Sequence, residues 1–242
     1  MRKTRLTELS KGLIVSCYAD TEINTYMDNP IAMQCVAKSC AEGGACAIRT
    51  NLEHVSAIRA VIDLPIIGIK KIYKGQDPLK SSFRITPTMK EVDALVEKGA
   101  DGIAIDATMR ERYDEFTLEE FVREIKKKYP QIFLVADIST LEEGLRSYRA
   151  GVNAVGTTLS GYTPYSKNPI IFGTVPTPEP DYDIIKKLKE AGVPFVIAEG
   201  RINDGNKMKK CLEAGADSVV IGTSITEPSK IVKSILFDAQ KY

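Results

Sequence analysis

Histidine is almost missing from this chain: His54 is the one example in 242 residues. A metal site built on several histidines is therefore excluded, and no acidic cluster argues for a carboxylate magnesium site. No stretch approaches the roughly 20 apolar residues of a membrane span. The first residues, MRKTRLTELSKG, are basic but lead into no apolar core of a secretory signal. Neither sign of charge is in excess, with 33 Lys and Arg against 32 Asp and Glu and a formal net charge of +1. Such a balance gives no case for nucleic acid or an anionic membrane as partner, and leaves room for a local basic pocket for one phosphate. There is no CxxC pair. The five cysteines, Cys17, Cys35, Cys40, Cys46 and Cys211, are odd in number, so no disulfide framework is expected and a cytoplasmic location is. Cys17 stands near a strand end, where a nucleophile could sit, but the usual fate of a free cysteine is that of a small apolar residue.

What the chain does contain is repetition. Eight apolar runs, GLIVSCYA, ACAIRT, PIIGIKK, GIAIDA, IFLVADI, AVGTTL, PFVIAEG and SVVIGTS, are each followed by a helical pattern. Continuous apolar runs are expected of parallel strands covered by helices on the outer face. Hydrophobic residues make up 43% and charged residues 27%, ordinary for a globular protein. Eight strand–helix units in 242 residues predict one (β/α)₈ TIM barrel, a single domain over 1–242. The connectors AEGGAC, EKGADG, RAGVNA, EAGVPF and EAGADS repeat a glycine that ends a helix in the left-handed conformation. Pro65 and Pro130 stop two other helices. Thr88 with Glu91, Thr117 with Glu120 and Thr140 with Glu143 have capping-box spacing, and Leu118, Phe121, Val122 and Ile125 should face the sheet. His54 is expected at the start of a surface helix. Three long segments, DTEINTYMDNP, IYKGQDPLKSSFRITPT and GYTPYSKNPIIFGTVPTPEPD, fall on the mouth side and read as lids over a small-molecule pocket.

The C-terminal strand ends of such a barrel form the active-site mouth. Tyr18, Arg49, Lys71, Asp106, Asp137, Thr158, Glu199 and Gly222 lie at or near those ends. Lys71 and Glu199 belong to the third and seventh runs, on opposite sides of the mouth. That placement suits two bases working on opposite faces of one carbon, a reaction that inverts stereochemistry. Alternation from Ile67 and Ile69 turns Lys71 inward and Lys70 outward. The competing reading is a Lys–Glu ion pair that only stabilises. Arg49 could bind an oxygen-rich substrate through its planar fork, and Asp137 could orient the lysine or a hydroxyl; each could instead be a structural ion pair. Asp106 reads equally well as a cap on the following loop. Gly200, Gly222 and Thr223 would present backbone N–H groups to a phosphate after the last two strands, with Arg201 adding charge.

The segments GLIVSC, EGGACAIR, LPIIGIKK, ITPTMKEVD, ADISTLEEG, TTLSGYTPYS and IAEGRI together resemble the N-acetylmannosamine-6-phosphate 2-epimerase family, the NanE-type enzymes of sialic acid catabolism. The resemblance covers nearly the whole chain. It implies a (β/α)₈ isomerase that interconverts N-acetylmannosamine 6-phosphate and N-acetylglucosamine 6-phosphate by proton transfer at C2, with no redox cofactor. It implies catalytic roles for Lys71 and Glu199 and substrate-binding roles for Arg49 and Asp137. Tyr18 and Thr158 join the substrate-binding set at their strand ends. Three departures stand out. Tyr18 replaces a substrate-contacting glutamine; Glu227 in SITEP falls where a phosphate-side arginine is common; and the segments after the third and sixth runs are longer than usual. A carboxylate beside a phosphate is repulsive, so a related phosphosugar epimerase with a shifted substrate, or a weakly active phosphosugar-binding protein, stays open. So does a homodimer.

Overall fold

The computed structural model describes residues 6–18, 26–73, 83–167, 169 and 178–239. A short helix, α1 (Leu6–Leu9), leads into three strands that pair in parallel, β1 (Leu13–Cys17), β2 (Ala47–Asn51) and β3 (Ile66–Ile69). An antiparallel hairpin of β4 (Lys71–Tyr73) and β5 (Phe83–Ile85) interrupts the series. It resumes with β6 (Gly102–Asp106), β7 (Phe133–Asp137), β8 (Ala154–Gly156), β9 (Val196–Glu199) and β10 (Ser218–Ile221). β10 pairs with β1, so eight of the described strands close a parallel barrel in chain order. Between them run α2 (Pro30–Glu42), α3 (Val55–Arg59), α4 (Met89–Glu97), α5 (Leu118–Lys128), α6 (Leu141–Ala150), α7 (Tyr182–Glu190) and α8 (Gly205–Glu213). Two more helices, α9 (Thr223–Thr226) and α10 (Pro228–Ala239), follow β10. This is the TIM barrel that the strand–helix repeats predict.

Each strand is apolar on both faces because it serves two cores. Ile14, Ala47, Ile67, Val135, Ile197 and Val220 fill the interior of the barrel. Val15, Ile48, Ile66, Leu134, Val196 and Val219 point outward and pack under the helices. Leu118, Phe121, Val122 and Ile125 on α5 are all buried in that outer layer, as their spacing predicts. Burial of one such side chain stabilises by about 1.5–3 kcal/mol.

The helix ends follow the local sequence signals. Capping boxes are formed at Thr88 and Glu91, at Thr117 and Glu120, and at Thr140 and Glu143. α6 ends at Gly151, whose φ of 99° is left-handed and whose N–H donates to the Ser147 and Tyr148 carbonyls. Gly44, Gly99, Gly192 and Gly215 repeat this in the other four connectors. Among the described residues, no helix is long and apolar enough to cross a membrane.

Two expectations are corrected. The run PIIGIKK is not one strand: β3 stops at Ile69, and Lys71 opens the hairpin. The described ends of the segment after it are the paired strands β4 and β5; residues 74–82 lie outside the described residues, as do 19–25 and most of 168–177 in the other two long segments. His54 is not on a surface helix. It is 2% exposed at the end of a 3₁₀ turn, Leu52–His54, and its Nε2 lies 2.8 Å from Asp28 Oδ1.

Candidate active site

Inward-facing residues alternate along each strand, so the side chain that extends the interior series reaches the mouth. On β1 the series runs Ile14, Ser16, Tyr18; on β2, Ala47, Arg49; on β9, Ile197, Glu199. These ends surround a cavity of about 770 Å³. Apolar walls with a few convergent polar groups are the usual form of a small-molecule site.

A buried charge cluster forms one wall. Arg49 is 3% exposed and Asp137 is fully buried. Arg49 Nη1 donates to Asp137 Oδ1 at 3.1 Å and Nη2 donates to Oδ2 at 2.5 Å, a bidentate fork. Nη1 also lies 3.1 Å from Glu199 Oε2. The Thr158 hydroxyl stands between the two carboxylates, 2.5 Å from Asp137 Oδ1 and 3.1 Å from Glu199 Oε2. Thr157 holds the backbone of Glu199: its hydroxyl donates to the Glu199 carbonyl and accepts from the Glu199 N–H, both at 3.0 Å. Burial pushes the Glu199 carboxyl above its ordinary range; Arg49 opposes this, Asp137 adds to it, and Thr158 and Lys71 oppose it more weakly. Burial alone would weaken the charge on Arg49, but Asp137 and Glu199 outweigh it and keep the guanidinium charged. The fork of Arg49 is thus engaged by protein carboxylates while its guanidinium still lines the cavity, and Asp137 orients Arg49 and the Thr158 hydroxyl.

Lys71 enters from the facing wall. Its Nζ lies 4.1 Å from the centroid of the Tyr18 ring and 4.8 Å from that of Phe83. Lys70 turns the other way and pairs with Glu53. Counting β3, β6, β7, β8, β9 in one direction and β3, β2, β1, β10, β9 in the other, β3, which ends two residues before Lys71, and the glutamate strand are four apart around the barrel.

Gly200, Arg201, Gly222 and Thr223 line the same cavity beyond β9 and β10. Arg201 is tied down by backbone carbonyls, with Nη1 donating to Ser160 O at 2.5 Å and Nε to Glu179 O at 3.0 Å. Glu227 also lines the cavity, and Lys230 from α10 sits 2.9 Å from its carboxylate. Arg49, Lys71, Arg201 and Lys230 together set four cations against the carboxylates of Asp137, Glu199 and Glu227. The mouth therefore carries a small positive excess, which favours an anionic ligand.

Two candidates fall outside this group. Asp106 caps the loop after β6: it accepts from Thr108 N at 3.2 Å and Thr108 Oγ1 at 2.7 Å, and pairs with Arg110 at 2.6 Å. Cys17 is buried in the outer core and is not among the residues lining the cavity, and its contact with the Cys40 thiol together with burial pushes its own thiol up. Sequence reasoning missed Phe83, Thr157 and Lys230. The alternation Phe83, Arg84, Ile85 is a strand signal that could have revealed Phe83. Among the described residues, no group of three His, Cys, Asp or Glu is placed to hold a metal ion.

Fold and site define a (β/α)₈ barrel protein with a charged mouth cavity. Residues 33–241 match the NanE family model, described as "Putative N-acetylmannosamine-6-phosphate epimerase". The chain is 44% identical over 236 residues to a protein of Caldanaerobacter subterraneus subsp. tengcongensis named as such a 2-epimerase, covering 96% of this chain and 93% of that one. A Borreliella afzelii protein of the same name is 39% identical over 234 residues, covering 96% of this chain and 95% of its own. The solved structure of the N-acetylmannosamine-6-phosphate 2-epimerase from Clostridium perfringens superposes with a TM-score of 0.83 at 38% identity, covering 96% of this chain and 94% of that one. This chain belongs to the NanE family.

Proposed function

We propose that this protein interconverts N-acetylmannosamine 6-phosphate and N-acetylglucosamine 6-phosphate, as an N-acylglucosamine-6-phosphate 2-epimerase. The observation that carries this reading is the placement of Lys71 and Glu199 in one cavity, Glu199 at the end of β9 and Lys71 two residues past the end of β3, the barrel strand four from β9. With the sugar open at C1, the carbonyl makes the C2 proton acidic. One of the two residues takes that proton, leaving an enolate. The other returns a proton to the opposite face, and C2 emerges inverted. No electrons enter or leave, so the step needs no redox cofactor.

Burial raises the Glu199 carboxyl above its ordinary range, which favours its protonated form and suits a general acid. Arg49 holds Glu199 in place and offsets the negative charge of the enolate, with Asp137 and Thr158 fixing the arginine and the carboxylate. Tyr18 borders the substrate from β1. The phosphate sits against Gly200, Arg201, Gly222 and Thr223, with Lys230 offsetting Glu227.

The chain acts as one barrel domain over 1–242. Its free cysteines at 17, 35, 40, 46 and 211 suit the reducing cytoplasm. It works as a homodimer joined through α10, which has no buried residue and exposes Val232, Ile235 and Leu236 at 53%, 62% and 57%.

Purified protein given N-acetylmannosamine 6-phosphate is expected to form N-acetylglucosamine 6-phosphate, and to leave unphosphorylated N-acetylmannosamine nearly untouched. Binding of the phosphosugar without turnover would replace the enzyme reading with that of a binding protein. Equal use of both sugars would remove the phosphate subsite.

A further inference from the structure

Lys71 is held in a way that neither the family likeness nor its strand position accounts for. The hairpin register pairs Lys71 with Ile85 and Tyr73 with Phe83. Those four side chains share the hairpin face that lines the cavity, while Ile72 and Arg84 take the other face. The ammonium of Lys71 lies against two rings at once, 4.1 Å from the Tyr18 centroid and 4.8 Å from the Phe83 centroid. Both distances fall well inside the roughly 6 Å reach of a cation–π contact. One ring comes from the end of β1 and the other from β5, so the lysine tip is gripped between two separate elements.

We propose that Tyr18 and Phe83 are positioning residues that form an aromatic clamp on the Lys71 ammonium at the barrel mouth. The proposal rests on the proton-transfer reading above for its purpose, since a base must hold its nitrogen at one place beside C2. The clamp itself is a physical arrangement that exists without substrate. Phe83 is in turn braced by Tyr73, whose ring centroid is 5.7 Å away at an interplanar angle of 54°. A lysine has a long stem with several free torsions, and two ring faces from separate elements fix where its tip sits.

Other charges face the same place. Glu199, Arg49 and Asp137 stand on the opposite wall, and the Glu199 carboxyl feels the Lys71 charge. Arg110 lies 5.9 Å from the Phe83 ring, with its own charge met by Asp106 at 2.6 Å. Arg84 is turned to the Glu111 carbonyl, and Tyr18 contributes a phenol beside its ring. Phe83→Leu leaves all of these groups in place and isolates the cation–π contribution; Tyr18→Leu also removes the phenol, which Tyr18→Phe removes while keeping the ring.

The test is a pH titration of the full chain labelled with ¹³C at lysine Cε, followed by NMR, with the Lys71 signal assigned from a Lys71→Arg variant. Loss of a ring face removes stabilisation of the charged form, so Phe83→Leu and Tyr18→Leu are expected to lower the Lys71 midpoint by about 0.5–1 pH unit each. Tyr18→Phe and Phe83→Tyr keep a ring and are expected to leave the midpoint in place. A midpoint unchanged or raised in a leucine variant that melts cooperatively overturns the clamp. Should Phe83→Leu fail to fold, Tyr18→Leu at the strand end decides alone. The titration uses no substrate, so it stands apart from the epimerase reading: a Lys71→Gln variant with full turnover would sink that reading and leave the titration result intact.

Discussion

Removing the Arg49 guanidinium would leave Asp137 and Glu199 facing one another across the Thr158 hydroxyl with no cation between them. Breaking a buried ion pair from one side costs about 3–5 kcal/mol, because the remaining charge is stranded. Arg49→Met is therefore expected to lower the thermal midpoint by many degrees, and a variant that melts like the parent would contradict the buried network. Lys71→Gln and Glu199→Gln address the chemistry instead. Each is expected to reduce kcat by about 10²–10⁴-fold, the usual share of a general acid or base, while cooperative melting is retained. The pH profile follows from the proton count. Both productive forms of the pair hold one proton between them, either on Lys71 or on Glu199, so kcat/KM is bell-shaped. Its acidic limb reports the carboxyl, which burial holds above its ordinary 4.5, with Arg49 pulling down and Asp137 pushing up. Activity is thus expected to fall with acid at a pH above 4.5, and a limb at or below that value would contradict the buried setting of Glu199.

At the scale of the element, α6 shows how a helix end is anchored to the barrel. The Glu143 carboxylate is buried and accepts from Ser139 N at 2.7 Å, Ser139 Oγ at 2.8 Å, Thr140 N at 2.9 Å and Met109 N at 2.7 Å. It therefore joins the helix to the loop after β6 as well as capping its own start. Thr140→Ala is expected to cost about 1 kcal/mol, the usual worth of an N-cap. Glu143→Ala is expected to cost more, about 2–3 kcal/mol, since several buried donors lose their partner together. Urea unfolding of the two variants checks the order, and equal losses would reduce Glu143 to an ordinary cap. The capping box itself was legible in the sequence because its signal is local, three residues apart. So were the α5 face and the glycine helix stops. The hairpin of β4 and β5 was not, because Lys71 continues the apolar alternation of Ile67 and Ile69 and nothing local marks the break at Lys70. The burial of His54 was hidden too, since it depends on Asp28, which is remote in sequence. In the site, strand-end position placed Lys71, Glu199, Arg49 and Asp137 at the mouth, but not the fact that Arg49 already spends its fork on Asp137. That pairing crosses 88 positions and is fixed by barrel closure alone.

At the scale of the whole molecule, the helix that ends the described chain is little covered: none of the residues of α10 is buried. The outer face of β1 at Leu13 and Val15 borders an open groove with Val36 and Cys40 of α2, next to Ile225. α10, which follows directly, leaves its apolar side chains exposed. Light scattering of the full chain is expected to give twice the monomer mass of 26.6 kDa, and Ile235→Glu with Leu236→Glu to shift it to the monomer. A monomeric parent would contradict pairing through this helix. The central claim, however, concerns a proton at one carbon. The most direct measurement is proton NMR at C2 while the enzyme turns over N-acetylmannosamine 6-phosphate in D₂O. Proton exchange by Lys71 and Glu199 predicts N-acetylglucosamine 6-phosphate carrying deuterium at C2. Product that keeps protium at C2, at full turnover, would contradict it.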